Sequence, residues 1–254
     1  MAARFEELAW APTPMGELTL RRRLDPRLGV EVFEVRLGDE YLMSSVFTFG
    51  ETELARLGLA AATADSLDVL VGGLGLGYTA VAALDDPRVS SLTVVDALGA
   101  VIGWHEQRLV PAAAALVDDA RTRLVEADFF AVAARPDDGV PGAIGRRYDV
   151  ILVDIDHSPR HTLAPAHAGF YSAAGLGQLR GLLQPAGVFA LWSDDAPDDA
   201  FVVMLGEVFD SARSHVVTFP NPLTDGEASN TVYVATTARS STTTTGTAQT
   251  PSGN

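Results

Sequence analysis

Apolar and polar positions change rhythm along this chain. Between Gly16 and Met43 the spacing is close to two, with Leu18 and Leu20 alternating in Gly16–Leu24, and Val30, Val32, Phe33, Val35 and Leu37 running through Val30–Leu37. Gly38-Asp39 separates that run from Tyr41-Leu42-Met43, a hairpin signal, so this stretch is expected to form a small antiparallel unit. From Glu51 to Ala62 the spacing turns helical through Leu54, Leu57 and Leu59, which predicts a helix leading out of the hairpins.

From Leu67 onward short apolar runs alternate with helical patterns. Strands are expected at Leu67–Val71, Ser91–Val95, Thr122–Glu126, Tyr148–Val153 and Val188–Trp192, and helices at Tyr78–Leu84, Leu98–Leu116, Phe129–Ala134 and Tyr171–Leu183. That alternation predicts an α/β fold, a parallel sheet with helices on both faces. Pro185-Ala186-Gly187 is expected to break the last helix, and Ser214–Phe219 and Asn230–Ala235 read as two further strands with a long turn-rich excursion, residues 219–226, between them. The resulting divisions are residues 1–58 for the hairpins and connecting helix, 59–237 for the α/β domain, and 238–254 for a Ser/Thr-rich tail too polar to fold.

Composition narrows the chemistry. The 254 residues carry 33 acids against 18 bases, a net charge of -15, and every base is arginine. An acidic chain without a basic stripe argues against nucleic-acid binding and suits cationic small molecules. Without lysine there is no Schiff-base or phosphate-loop chemistry, and without cysteine there is no disulfide, thiolate metal site or thiol nucleophile. No apolar run is long enough to span a membrane and no secretory leader is visible, so a cytoplasmic location is expected.

Candidate ligand residues gather at strand ends. Gly72-Gly73-Leu74-Gly75-Leu76-Gly77 follows a strand and opens a helix, where glycine lets backbone approach a ligand; a plain tight turn is the alternative. Asp96, with Ala97, ends the second strand at the spacing of a ribose-binding acid. Asp128-Phe129 follows the third, where an acid can accept from an exocyclic amine and an aromatic ring can stack on a purine. Asp154 ends the fourth. This edge offers mostly carboxylates, which suit a cationic sulfonium nucleoside better than a dinucleotide pyrophosphate.

In the order hairpins, connecting helix, Gly72–Gly77, Asp96, Asp128 and Tyr148–Asp156, the chain resembles the spermidine synthase-like aminopropyltransferases over roughly residues 15–236. The resemblance implies a Rossmann-like class I methyltransferase fold, a seven-stranded, mostly parallel sheet preceded by a small N-terminal β-hairpin domain. It implies S-adenosylmethionine or its decarboxylated form as cofactor, with Gly72, Gly73 and Gly75 at the thioether end, Asp96 at the ribose, and Asp128 with Phe129 at the adenine. The acceptor is expected to be a small cationic amine, and a homodimer is compatible with the family.

Two departures from the family pattern matter. The acid of the family's glycine-rich loop is matched to Leu74, which favours intact S-adenosylmethionine and methyl transfer over aminopropyl transfer. The family's second acid after strand four falls on His157 or, with a one-residue slip, Asp156, so either is the expected catalytic residue that removes or steers the acceptor's proton. A metal-dependent O-methyltransferase is a further alternative, since Asp154, Asp156, His157 and His161 crowd one loop and Ser193-Asp194-Asp195 lies on the same edge, although no metal ligands are assigned. A silent nucleoside-binding protein is the non-enzymatic alternative. Glu51 and Glu53 offer an acidic wall for an amine, Trp104 lies close enough in sequence to pack at the purine edge, and Tyr171 can reach substrate.

Overall fold

The structure is a computed structural model and describes residues 5–239. Most of the expected tail lies outside the described residues. Strands β1 (Phe5–Thr13), β2 (Gly16–Leu24), β3 (Glu31–Leu37) and β4 (Glu40–Ser44) form an antiparallel sheet in that order. Leu18 pairs with Leu37 and Leu20 with Val35, so one face of this sheet is buried. Arg22 and Arg23 of β2 meet Glu6 at 2.6 Å and Glu34 at 2.7 Å, so this part of the strand is an ion-paired surface.

Helix α1 (Phe49–Ala61) buries Gly50, Leu54, Ala55, Gly58 and Leu59, one face at helical spacing. At Gly58 a β-carbon would stand 2.6 Å from Leu152, so glycine there lets the helix lie close against the large sheet.

The large sheet follows. It comprises β5 (Leu67–Gly72), β6 (Val89–Asp96), β7 (Thr122–Glu126), β8 (Tyr148–Val153), β9 (Leu183–Ser193), β10 (Ser211–Asn221) and β11 (Gly226–Thr236), ordered β10-β11-β9-β8-β5-β6-β7. Strands β5 to β9 are mutually parallel, and β11 runs antiparallel between β9 and β10, which leaves β10 in the direction of the other five, so the sheet is mostly parallel as expected. Helices α2 (Tyr78–Leu84), α3 (Gly99–Glu106), α4 (Ala113–Val117), α5 (Phe129–Ala134), α6 (Ala173–Arg180) and α7 (Asp199–Val208) complete the order. Alternate strand residues feed two cores. Val69, Val71, Val94 and Leu152 join α1 to α4 and the small sheet, while Leu70, Val95, Ile151 and Val153 join α5 to α7 and an aromatic cluster of Phe129, Phe170, Tyr171 and Phe189. The chain reverses its direction of strand addition between β5 and β8, the crevice where open α/β sheets bind ligands.

Local expectations fail where backbone geometry overrides pattern. The helix expected over Leu98–Leu116 breaks into α3 and α4, because Arg108 adopts φ 58° and Pro111 follows. Pro185-Ala186-Gly187 does not end a helix; it lies inside β9, where Ala186 at φ 62° accompanies a register shift against β8. The helix expected from Tyr171 starts only at Ala173, since the Ser172 hydroxyl caps it by accepting from Gly175 N at 3.1 Å. The turn-rich stretch 219–226 closes as a tight hairpin, a reading its sequence equally allowed, in which Asn221 pairs with Gly226. Strand β1 and helix α7 were not anticipated from the pattern. No helix among the described residues is long and apolar enough to cross a membrane.

Candidate active site at the carboxyl edge of the large sheet

The turn leaving β5 is held by backbone geometry that needs glycine. Gly73 has φ 95°, and a β-carbon there would stand 2.0 Å from the Asp154 carbonyl oxygen. Gly75 has φ 48° and faces the Met43 sulfur of β4 at a distance that leaves a β-carbon only 2.6 Å. The turn is therefore pressed between the end of β8 and the small sheet. Leu74 is 5 % exposed and packs in the apolar core, forming one wall of the site.

Asp96 ties two of these elements together. Its carboxylate accepts from Leu74 N and from Leu98 N, each at 2.8 Å. Burial raises its pKa, against the opposing pull of those backbone bonds. Asp128 is the N-cap of α5, with Oδ1 accepting from Phe130 N at 2.9 Å and Ala131 N at 3.2 Å. Together with Gly73, Gly75, Ala97 and Asp154, these two acids line a cavity of about 250 Å³. Gly72 lies under the Phe129 ring. Phe129, expected as a stacking platform, lines this cavity but is 2 % exposed and belongs to the aromatic core; Phe130 beside it is a second, half-buried ring on the same wall.

A smaller cavity of about 90 Å³ adjoins the first and is lined by Glu51, Tyr78, His157, Trp192 and again Asp154. Asp154 accepts from the Thr79 hydroxyl at 2.7 Å. Burial raises the pKa of both carboxylates, Asp154 to about 6 and Glu51 to about 8, with repulsion from Asp154 adding to the rise at Glu51. A wall of this kind favours a cation that relieves both burial and repulsion. Glu53, on the same helix, is instead paired to Arg56. His157 sits at the rim, Nε2 3.1 Å from Glu40 Oε1 at the start of β4, so it joins the loop after β8 to the small sheet.

Asp156 is not placed to touch an acceptor, which corrects the expectation that it handles the acceptor's proton. Its carboxylate is fully buried and accepts from Leu163 N at 2.7 Å, His167 Nδ1 at 2.9 Å and the Tyr171 hydroxyl at 2.9 Å. Tyr171 is correspondingly engaged; burial pushes its hydroxyl pKa up. The remaining members of the acidic loop diverge, since His161 pairs with Asp195 at 2.9 Å and Asp194 accepts from Asn230 at 2.9 Å. Among the described residues no group of three or more such side chains is arranged to hold a metal ion. Trp104 is buried in the core, and His105 is fully buried with Nε2 3.0 Å from the Gly75 carbonyl, supporting the glycine turn.

No family model matches the chain. Solved structures do match it. A spermidine synthase in complex with the transition state analogue AdoDATO superposes with a TM-score of 0.68 at 17% identity, over 91% of this chain and 73% of that one. The fold is that of the spermidine synthases. The enzyme of that name from Thermotoga maritima gives 0.66 at 16% identity over 91% of this chain and 72% of its own, and a probable spermidine synthase from Corynebacterium glutamicum gives 0.58 at 16% over 93% and 80%. Within this spermidine synthase fold, sequence reasoning gave no functional role to Tyr78, Phe130 or His167. Tyr78 directly follows the glycine run, and Phe130 directly follows Phe129, so both were within reach of the motifs; His167 carried no motif signal.

Proposed function

We propose that the chain is a polyamine aminopropyltransferase that binds decarboxylated S-adenosylmethionine in the larger cavity and a cationic amine acceptor in the smaller one. The observation that carries this reading is that Asp154 lines both cavities, with Glu51 on the acceptor side and Asp96 and Asp128 on the nucleoside side. The sulfonium nucleoside supplies an activated carbon–sulfur bond. Asp154 and Glu51 hold the acceptor ammonium, and His157 at the rim or this carboxylate pair takes its proton. The freed nitrogen lone pair forms a bond to the propyl carbon as the carbon–sulfur bond breaks, its electrons passing to sulfur to leave a neutral thioether. Holding nucleophile and carbon in line is the main source of acceleration.

Methyl transfer from intact S-adenosylmethionine, the outcome expected from Leu74, has weaker support. Leu74 is a core wall, and Asp154, which lines both cavities, stands near enough to it to offer a carboxyl group to an ammonium. The likeness to spermidine synthases also favours aminopropyl transfer.

Incubating the full chain with putrescine and either cofactor tests the reading. Formation of 5′-methylthioadenosine and an aminopropylated amine from the decarboxylated cofactor is expected. Methylated amine and S-adenosylhomocysteine from the intact cofactor would overturn it in favour of methyl transfer, and no turnover with any of a panel of diamines would overturn catalysis.

A further inference from the structure

We propose that His167, set by the buried Asp156, reads the 6-amino group of the purine and makes the larger cavity select 6-amino over 6-oxo purine nucleosides. The inference rests on the nucleoside reading above and adds to it a residue and a rule of selection.

His167 lies in a single 3-10 turn, Pro165–Gly169, and reaches the wall of the larger cavity together with Asp128 and Phe130. Two contacts fix its ring. It stacks on Phe130 with centroids 4.0 Å apart and planes 28° from parallel, and its Nδ1 stands 2.9 Å from Asp156 Oδ1. The Asp156 carboxylate has no solvent exposure, and its other two partners, Leu163 N and the Tyr171 hydroxyl, are donors. An ionised carboxylate only accepts, so the proton of the His167 bond sits on Nδ1. In the neutral ring Nε2 is then the acceptor, a tautomer set by the group behind it. Nε2 makes no hydrogen bond to any described residue, and the ring carries the residual exposure of a cavity wall, 16%.

Asp128 presents the matching feature. Its Oδ1 is committed to the α5 amides, and its other oxygen has no partner among the described residues. The cavity therefore offers two acceptors, Asp128 Oδ2 and His167 Nε2, on the wall that also carries the Phe130 ring. A 6-amino group has two hydrogens, one for each. A 6-oxo group brings a lone pair toward both and leaves them unpaired, and mismatches of that polar kind are penalised far more than a lost methyl group. The Asp156–His167 pair is thus a specificity device for the nucleoside.

The test is calorimetry at pH 8 with the full chain and two probes, 5′-methylthioadenosine and 5′-methylthioinosine. Wild type is expected to prefer the amino nucleoside by about tenfold or more, the scale of one lost charge-assisted or well-made hydrogen bond. His167→Phe keeps a ring against Phe130 but removes the acceptor, and is expected to bring the ratio to within about threefold. His167→Gln restores an acceptor and should recover part of the ratio. Thermal unfolding establishes that each variant is folded. A wild-type ratio retained by folded His167→Phe overturns this inference while leaving the nucleoside reading standing, and wild type that binds neither probe overturns both.

Discussion

The backbone amide of Leu74 donates a 2.8 Å hydrogen bond to the Asp96 carboxylate, which ties the glycine turn after β5 to the end of β6. The same carboxylate accepts from Leu98 N ahead of α3, so one side chain organises two loops of the candidate site. Asp96→Ala leaves both amides without their partner, a loss of about 1–3 kcal/mol each where the amide stays dry. The expected result is a folded but less stable protein that no longer shows a thermal shift with 5′-methylthioadenosine; an undiminished shift would remove Asp96 from the site.

Glu51→Gln is expected to trade binding for stability. The folded-state pKa of Glu51 is raised from 4.5 to about 8, so the folded protein holds a proton that the unfolded chain has released over that interval. Stability therefore falls as pH rises from 4.5 through 8, and the penalty is complete above 8. Removing the charge should raise the Tm at pH 8.5 by at least roughly 2 °C, the scale of a 1 kcal/mol change in a chain of this size, with little gain at pH 4.5. The acceptor KM should rise about tenfold for the lost charge-assisted contact. A Tm gain independent of pH would contradict the burial of Glu51 as an acid.

Exchanges at Asp128 separate capping from binding. Asp128→Ala removes the cap of α5 and is expected to cost about 1 kcal/mol, whereas Asp128→Asn keeps a capping oxygen and should unfold within a few tenths of a kcal/mol of wild type. Both should weaken nucleoside binding in calorimetry, because both remove the carboxylate facing the cavity. Unchanged affinity in Asp128→Asn would show that its charge is not used.

Gly73→Ala brings a β-carbon to 2.0 Å from the Asp154 carbonyl oxygen in a left-handed conformation. Backbone cannot give way there without parting β5 from β8. Circular dichroism should report a protein unfolded or markedly destabilised, and a Tm near that of wild type would mean the turn is not so closely packed.

How far the chain could be read without its structure depends on the range of the interaction involved. Strands β2, β5, β7 and β8, the placing of acids at strand ends, and the hairpin unit before them were legible because side-chain period and turn residues are local properties. The split between α3 and α4 was less so. Its cause is one residue, Arg108, in a conformation that its chemistry does not announce. Strand β1 and helix α7 lacked a clear period, since β1 leaves Phe5 and Trp10 exposed at the edge of its sheet and α7 buries only Phe201 and Leu205.

The site divides in the same way. By itself the sequence determined that glycines and carboxylates stand at the carboxyl ends of β5, β6 and β8 and after β7, because alternation and turn chemistry act between near neighbours. Only the tertiary structure decided which of those groups line the two cavities. It turned Asp156 inward to His167 and Tyr171, set Glu51 from a helix more than a hundred residues earlier in the chain against Asp154, and put Phe130 beside the more deeply buried Phe129 at the cavity. Burial and charge pairing depend on which distant segments pack together, and a one-dimensional pattern carries that information only through the fold it specifies.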